Sequence, residues 1–179
     1  MSTAPEAAPR SADRRPLATL APPAPQNPHS GPPGAAVAAP RDVVAAARGF
    51  LGVRWHHQGR SSAGLDCAGL VIAVAHVLGL SAFDTRDYGR LPSGQRMREI
   101  LDAHCARAPA LQPGVVALMR FEADPQHLAI VADYVYGGLS LVHALMTERR
   151  VCEHRLDTHW RARIVALYAL PGVAYAEAA

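Results

Sequence analysis

Ten of the fifteen prolines in this 179-residue chain fall within its first forty residues, and the change of texture after them decides what the rest can fold into. Residues 1–40 form an Ala/Pro/Ser/Gly tract in which proline cuts every short apolar run, so the surface it can bury does not offset its ordering entropy. This tract is expected to be a disordered tail. A folded domain is expected over 41–173, with 174–179 as a short second tail. The remaining length suffices for one core.

Charge excludes more than it identifies. All eighteen basic residues are arginine and the net charge is +3, but no basic cluster resembles a nucleic-acid footprint. No run of about eighteen apolar residues occurs, so no membrane span is expected. The first residues lack the charged-then-apolar order of a secretion signal, so synthesis in the cytoplasm is the expectation. Cys67, Cys105 and Cys152 are an odd number at wide spacings, which suits neither a disulfide framework nor a zinc ribbon.

From Arg41 onward the period is first helical. "RDVVAAARGFLG" places Val43, Val44, Ala47, Phe50 and Leu51 at helical spacing, with Asp42 in capping position. After the loop "VRWHHQGRSSAGL", Asp66 stands as N-cap of a second helix with a stripe of Leu70, Val71, Val74, Val77 and Leu78, ending at Gly79. "PSGQRMREILDAHCARA" reads as a third helix with Met97, Ile100, Leu101 and Cys105 on its apolar side. After Pro113 the period shortens. "GVVALMRF", "HLAIVADYVY", "LSLVHALM", "RVCEHRLD" and "ARIVALYAL" are short, β-branched or alternating, and divided by turn residues. Helices followed by strands give an α+β fold, with N-terminal helices packed on one side of a five- to six-stranded antiparallel sheet.

Cys67 opens the second helix. The free N–H groups and positive dipole end there favour thiolate over thiol, while the adjacent Asp66 carboxylate opposes it. Ala68 and Gly69 leave room for a substrate. A nucleophilic cysteine needs a base, and two histidines sit inside apolar strands. His127 shares a strand face with Ala129 and Val131, and His143 one with Leu141 and Leu145. One would take the thiol proton while the other holds the first in orientation. Residue types alone leave a zinc site of Cys67, His127 and His143 open, but no fourth ligand suggests itself, so no metal or other cofactor is expected. His56 and His57 precede the cysteine in an exposed loop where substrate contact is possible. His76 lies about two and a half turns along the cysteine's own helix, too far for a proton relay. His104, His154 and His159 show no ligand spacing.

The order "LDCAGLV", "HLAIV", "LVHAL" over about residues 42–172 resembles the NlpC-type cell-wall peptidases, a papain-like family. The resemblance implies Cys67 as nucleophile, His127 as general base and His143 as orienting residue. It implies hydrolysis of a peptidoglycan stem peptide, usually at the D-glutamyl-diaminopimelate bond, through a thioester. The oxyanion would be held by the Cys67 N–H and a side-chain donor from the preceding loop, and Trp55, Asp66, His57 and Gln58 are the candidates for oxyanion or substrate contact. "VRWHHQGRSSAGLDCAGLV" looks most like the phage-tail and gene-transfer-agent branch, which implies tail-like partners for the proline-rich head and delivery to the wall in a phage-like particle. Two positions depart from the family pattern: Trp55 stands where a tyrosine is usual, and Ala68 where serine is common. A silent wall-binding or structural tail domain, and a related thiol amidase or acyltransferase, are the alternatives.

Overall fold

The computed structural model describes residues 38–90, 94–122 and 124–175. The expected tails lie, apart from Ala38–Pro40 and Ala174–Tyr175, outside the described residues. Helix α1 runs Pro40–Arg48 with Ala39 as N-cap, three residues earlier than the Asp42 cap suggested. Proline is tolerated in a first helical turn because its missing N–H would be unpaired there anyway. Asp42 instead sits one turn in, and its carboxylate reaches back to accept the Ala39 N–H at 2.8 Å. Val43, Val44 and Ala47 are buried, whereas Leu51 is exposed.

The loop before Cys67 contains a small hairpin, β1 (Arg60–Ser61) and β2 (Gly64–Leu65). Helix α2, Cys67–Val77, follows directly, and Gly79 beyond it adopts φ 66°, the left-handed conformation of a helix stop. The expected single stripe on α2 is not what forms. Leu70 through Ala75 are all buried and Val77 is 66% exposed, because α2 is enclosed by the sheet, α1 and the hairpin rather than lying on the surface. Burying Leu70 and Val74 is worth about 1.5–3 kcal/mol each, which outweighs the few tenths that β-branched residues cost a helix. Helix α3, Gly94–His104, buries Met97 and Leu101 against the same core.

Six strands follow: β3 (Ala106–Arg107), β4 (Val116–Arg120), β5 (Pro125–Asp133), β6 (Leu139–Leu145), β7 (Arg150–Arg155) and β8 (Ile164–Ala169). A short helix α4, Thr158–Arg161, lies between the last two. They form one antiparallel sheet in the order β3-β8-β4-β5-β6-β7. Strand alternation divides the core. Leu118, Leu128, Ile130, Val142 and Ala144 face the three long helices. Ala117, Met119, Ala129, Val131 and Leu141 face the other way, under Leu156, Trp160 of α4 and Tyr175. Ala38 forms a single parallel bridge with Val173.

One irregularity prepares the site. β5 pairs with β6 from Asp133↔Leu139 to Ile130↔Val142, and the paired rungs stop there although β5 continues back to Pro125 and β6 on to Leu145. The two strands part at this end, and the N-terminus of α2 meets the sheet beside the parting.

Candidate active site

Asp66 organises the approach to Cys67. As N-cap of α2 its carboxylate accepts the Gly69 N–H at 2.8 Å. It also accepts the Gln58 N–H at 2.6 Å and the Tyr88 hydroxyl at 3.0 Å, and the Arg60 guanidinium lies 3.6 Å away. A buried carboxylate is tolerated only with such a set of donors. Gln58 takes up φ 57° to deliver its N–H. The hairpin lies directly on the first turn of α2, so a Cβ on Gly69 would collide with the Gly59 carbonyl.

The Cys67 sulfur lies against the parted strands. The N–H groups of Leu128, Ala68 and Cys67 itself face it and favour the thiolate. Burial, and after it the Asp66 carboxylate, outweigh them and push the thiol up to about 11. Of the opposing effects at this helix terminus the unfavourable ones win: three N–H dipoles and the helix end do not offset the lost hydration and an adjacent negative charge. The residue is half-buried, keeping an opening to a cleft of about 400 Å³ that His127, Trp55, His57, Asp66, Tyr88 and Trp160 also line.

Three imidazoles form a line on the sheet face away from the long helices. His127 Nε2 lies 2.8 Å from His143 Nδ1, and His143 Nε2 lies 2.7 Å from His154 Nε2. His154 Nδ1 in turn donates to the Arg155 carbonyl at 3.1 Å. His127 and His143 are buried, and His154 is half-buried against the Trp160 ring at 4.4 Å between centroids. Phe121 and Trp160 flank the line, at 5.0 Å from His127 and 5.3 Å from His143. Burial, and then the repulsion that a protonated His127 would meet from a protonated His154, pull His127 down to about 3. Burial first, then His127 and His154, pull His143 down as well.

No hydrogen bond joins Cys67 to His127 among the described residues. Nδ1 of His127 has no partner there either, and no enclosed side-chain nitrogen or oxygen lacks one, so this atom opens towards the cleft. The structure thus brings thiol and imidazole to one cleft as a neutral pair, arriving from opposite faces of the sheet at its parted end. Of the loop candidates, Trp55 and His57 line the cleft, with their rings stacked at 6.5 Å. Gln58 does not: its side chain donates to the carbonyls of Arg86 at 2.6 Å and Tyr88 at 2.8 Å. Both carboxylate oxygens of Asp66 are engaged as acceptors. Sequence reasoning missed His154 and Tyr88. Counting the β6–β7 hairpin back from its turn would have found His154, since His143 pairs with Cys152 and Leu141 with His154, placing the two histidines diagonally on one face. Among the described residues no group of three or more His, Cys, Asp or Glu is disposed to hold a metal.

The arrangement can be compared with known folds. The chain is similar to an NlpC/P60 family protein from Bacillus cereus ATCC 10987, with a TM-score of 0.55 and 18% identity over 75% of this chain and 41% of that one. The fold is that of the NlpC/P60 proteins. The NlpC/p60 domain of the peptidoglycan hydrolase SagA is similar at a TM-score of 0.51 and 18% identity, covering 73% of this chain and 98% of the domain. An N-acetylmuramoyl-L-alanine amidase from Bacteroides uniformis ATCC 8492 is similar at 0.50 and 11%, covering 74% and 98%. Against the first of these structures, the chain spans less than half of the other protein's length. The sequence matches no family model and no curated protein. The NlpC/P60 fold accounts for the antiparallel sheet and the long helices on one of its faces.

Proposed function

We propose that this chain is a cysteine peptidase that hydrolyses peptide bonds in bacterial peptidoglycan stems, at the D-glutamyl-diaminopimelate type of bond. One observation carries the reading: a helix-opening thiol and an imidazole, itself hydrogen-bonded to a second buried imidazole, line the same cleft. The name of one structural neighbour, a peptidoglycan hydrolase, supports the substrate class.

The chemistry follows from the neutral pair. As Cys67 Sγ attacks the scissile carbonyl carbon, Nδ1 of His127 accepts the thiol proton, and His143 holds the imidazolium through Nε2. The amide π bond opens to an oxyanion, which meets the Cys67 N–H, an amide donor unpaired in the first helical turn. The indole N–H of Trp55 is the second donor, in the role a tyrosine hydroxyl would fill. The tetrahedral intermediate collapses, the C–N bond breaks, and His127 returns the proton to the leaving amine. Water, deprotonated by His127, then cleaves the thioester and releases the thiol. Tyr88 is excluded as the donor because its hydroxyl proton is committed to Asp66.

Purified peptidoglycan digested by the wild type and by Cys67→Ala, with released fragments weighed by mass spectrometry, tests this. Stem-peptide fragments from the wild type alone support it, and equal release by both, or release by neither, sinks it. The amidase among the structural neighbours motivates a second reading, cleavage at the muramoyl amide, which the masses would reveal. We further propose, from the loop sequence before Cys67, that the chain is made in the cytoplasm and reaches the wall as part of a phage-tail-like particle. Co-sedimentation of the full chain with such particles supports this, and its recovery only as free protein opposes it.

A further inference from the structure

We propose that His154 is a positioning residue which, through the Arg155 carbonyl, sets the direction of every hydrogen bond in the His127–His143–His154 line and so leaves Nδ1 of His127 as the bare base. The inference rests on the reading of His127 as general base and deepens it.

A carbonyl only accepts, so the Nδ1 of His154 facing Arg155 carries a hydrogen. In the neutral state of His154, to which the inference applies, the ring has one such hydrogen, so Nε2 of His154 is a lone pair. Its partner at 2.7 Å, Nε2 of His143, must then donate. This leaves Nδ1 of His143 as an acceptor, and Nε2 of His127 donates to it across 2.8 Å. What remains is Nδ1 of His127, unhydrogenated and open to the cleft. The reversed line would set the lone pair of His154 against that of the carbonyl. It would also place a hydrogen on Nδ1 of His127, so that the ring could take no proton from the thiol.

Surroundings enforce the choice. His143 is completely buried, so water cannot supply either nitrogen with a different partner, and Trp160 covers both His143 and His154. Burial also keeps the two inner rings neutral, and with His154 neutral as well each ring carries a single hydrogen. When His127 takes the thiol proton, the lone pair of His143 already faces the new cation, so no reorganisation is needed.

The test uses the full chain labelled with ¹⁵N-histidine, and two-bond correlation spectra that distinguish Nδ1–H from Nε2–H rings. The wild type is expected to show Nε2–H at His127 and His143 and Nδ1–H at His154. His154→Glu offers only acceptors, His154→Lys only donors and His154→Leu neither. The lysine and leucine variants are expected to lose roughly 10- to 100-fold in kcat with KM little changed, and glutamate to stay within about threefold of wild type, on the scale set by orienting partners of active histidines. The lysine variant should also move the hydrogen of His127 to Nδ1. Position 154 is half-buried on the outermost strand, and unfolding midpoints verify that the variants fold. Iodoacetamide alkylation of Cys67 should follow the same order, without any substrate. Nδ1–H at His127 in the wild type, or wild-type tautomers and alkylation in both His154→Lys and His154→Leu, overturns the proposal. A wild type that releases no stem peptides defeats the proposed reaction instead, and spectra and alkylation still decide the role of His154.

Discussion

Replacing Asp66 by alanine removes the acceptor on which three parts of the site converge. The α2 N-cap bond from Gly69 is lost, which costs about 1 kcal/mol. The Gln58 N–H and the Tyr88 hydroxyl lose a charged acceptor as well, and hydrogen bonds to charged groups contribute about 1.5–3 kcal/mol each. Part of this is offset because the carboxylate no longer has to be buried, which brings the expected loss to roughly 3–5 kcal/mol. That is a large share of the 5–15 kcal/mol typical of a domain. Asp66→Asn keeps an oxygen for Gly69 but turns its amide towards the Gln58 N–H, so it should fall between the two, about 1–3 kcal/mol below wild type. Urea unfolding at neutral pH, followed by far-UV circular dichroism, reads the series. The asparagine variant carries a second readout, since a neutral side chain no longer disfavours the neighbouring thiolate. Alkylation of Cys67, measured with Cys105 and Cys152 replaced by serine, should then rise at lower pH than in the same background with Asp66. An alanine variant within 1 kcal/mol of wild type, or an unmoved alkylation profile in Asp66→Asn, would refute the view of Asp66 as the hub.

Acid should unfold the protein through its buried histidines. His127 and His143 lie below the ordinary histidine value of about 6.5 when folded, so between that value and about 3 the unfolded chain binds more protons, and stability falls as pH drops below about 6.5. The slope should reach about 1.4 kcal/mol per pH unit for each histidine, and urea midpoints that stay flat from pH 6.5 to 4 would contradict it. Gly69→Ala forces its new methyl into the Gly59 carbonyl and should cost about 1–3 kcal/mol, with loss of turnover as the hairpin shifts; a variant as stable and active as wild type would refute that close approach. Trp55→Phe keeps the ring but deletes the indole N–H, and kcat should fall about 100-fold if that hydrogen holds the oxyanion; unchanged kinetics would remove Trp55 from the mechanism.

Much of this architecture was readable because its signals are local. Strands β4 to β8 are short β-branched or alternating runs divided by turn residues, and Asp66 before "CAGLV" stands in capping position. Face assignments for His127 and His143 followed from period two alone. What escaped depends on residues distant in the chain. The hairpin β1–β2 has two residues per strand and no period, and its close packing needs Gly59 and Gly69, where backbone lies on backbone, and Gly64, against which the His56 side chain packs. Tyr88 reaches Asp66 from a segment without regular structure, where nothing local marks it. His154 joins His143 only through a hairpin register whose turn holds Arg149 at φ 57°, an uncommon conformation for a residue other than glycine. The same distance effect decides the balance at Cys67, which the sequence leaves between a favourable helix end and an unfavourable Asp66. Its helix-end environment is local and visible, but the burial that dominates comes from packing against β5.

The neutral state of the pair has a kinetic consequence. If thiolate and imidazolium were already formed, attack would involve no proton in motion, and the equilibrium that removes hydrogen from sulfur would make the reaction as fast or faster in heavy water. Here the thiol is pushed up and His127 pulled down, so the resting pair is neutral across the physiological range. Charge separation ahead of attack would be uphill in a buried site, and the proton must move as the carbon–sulfur bond forms. The expected outcome is a slower kcat/KM in heavy water, measured at matched points on the pH plateau. A linear dependence on deuterium fraction would mark a single proton in flight. An inverse effect, or none, would mean that a preformed ion pair attacks and that substrate binding lowers the thiol before chemistry starts.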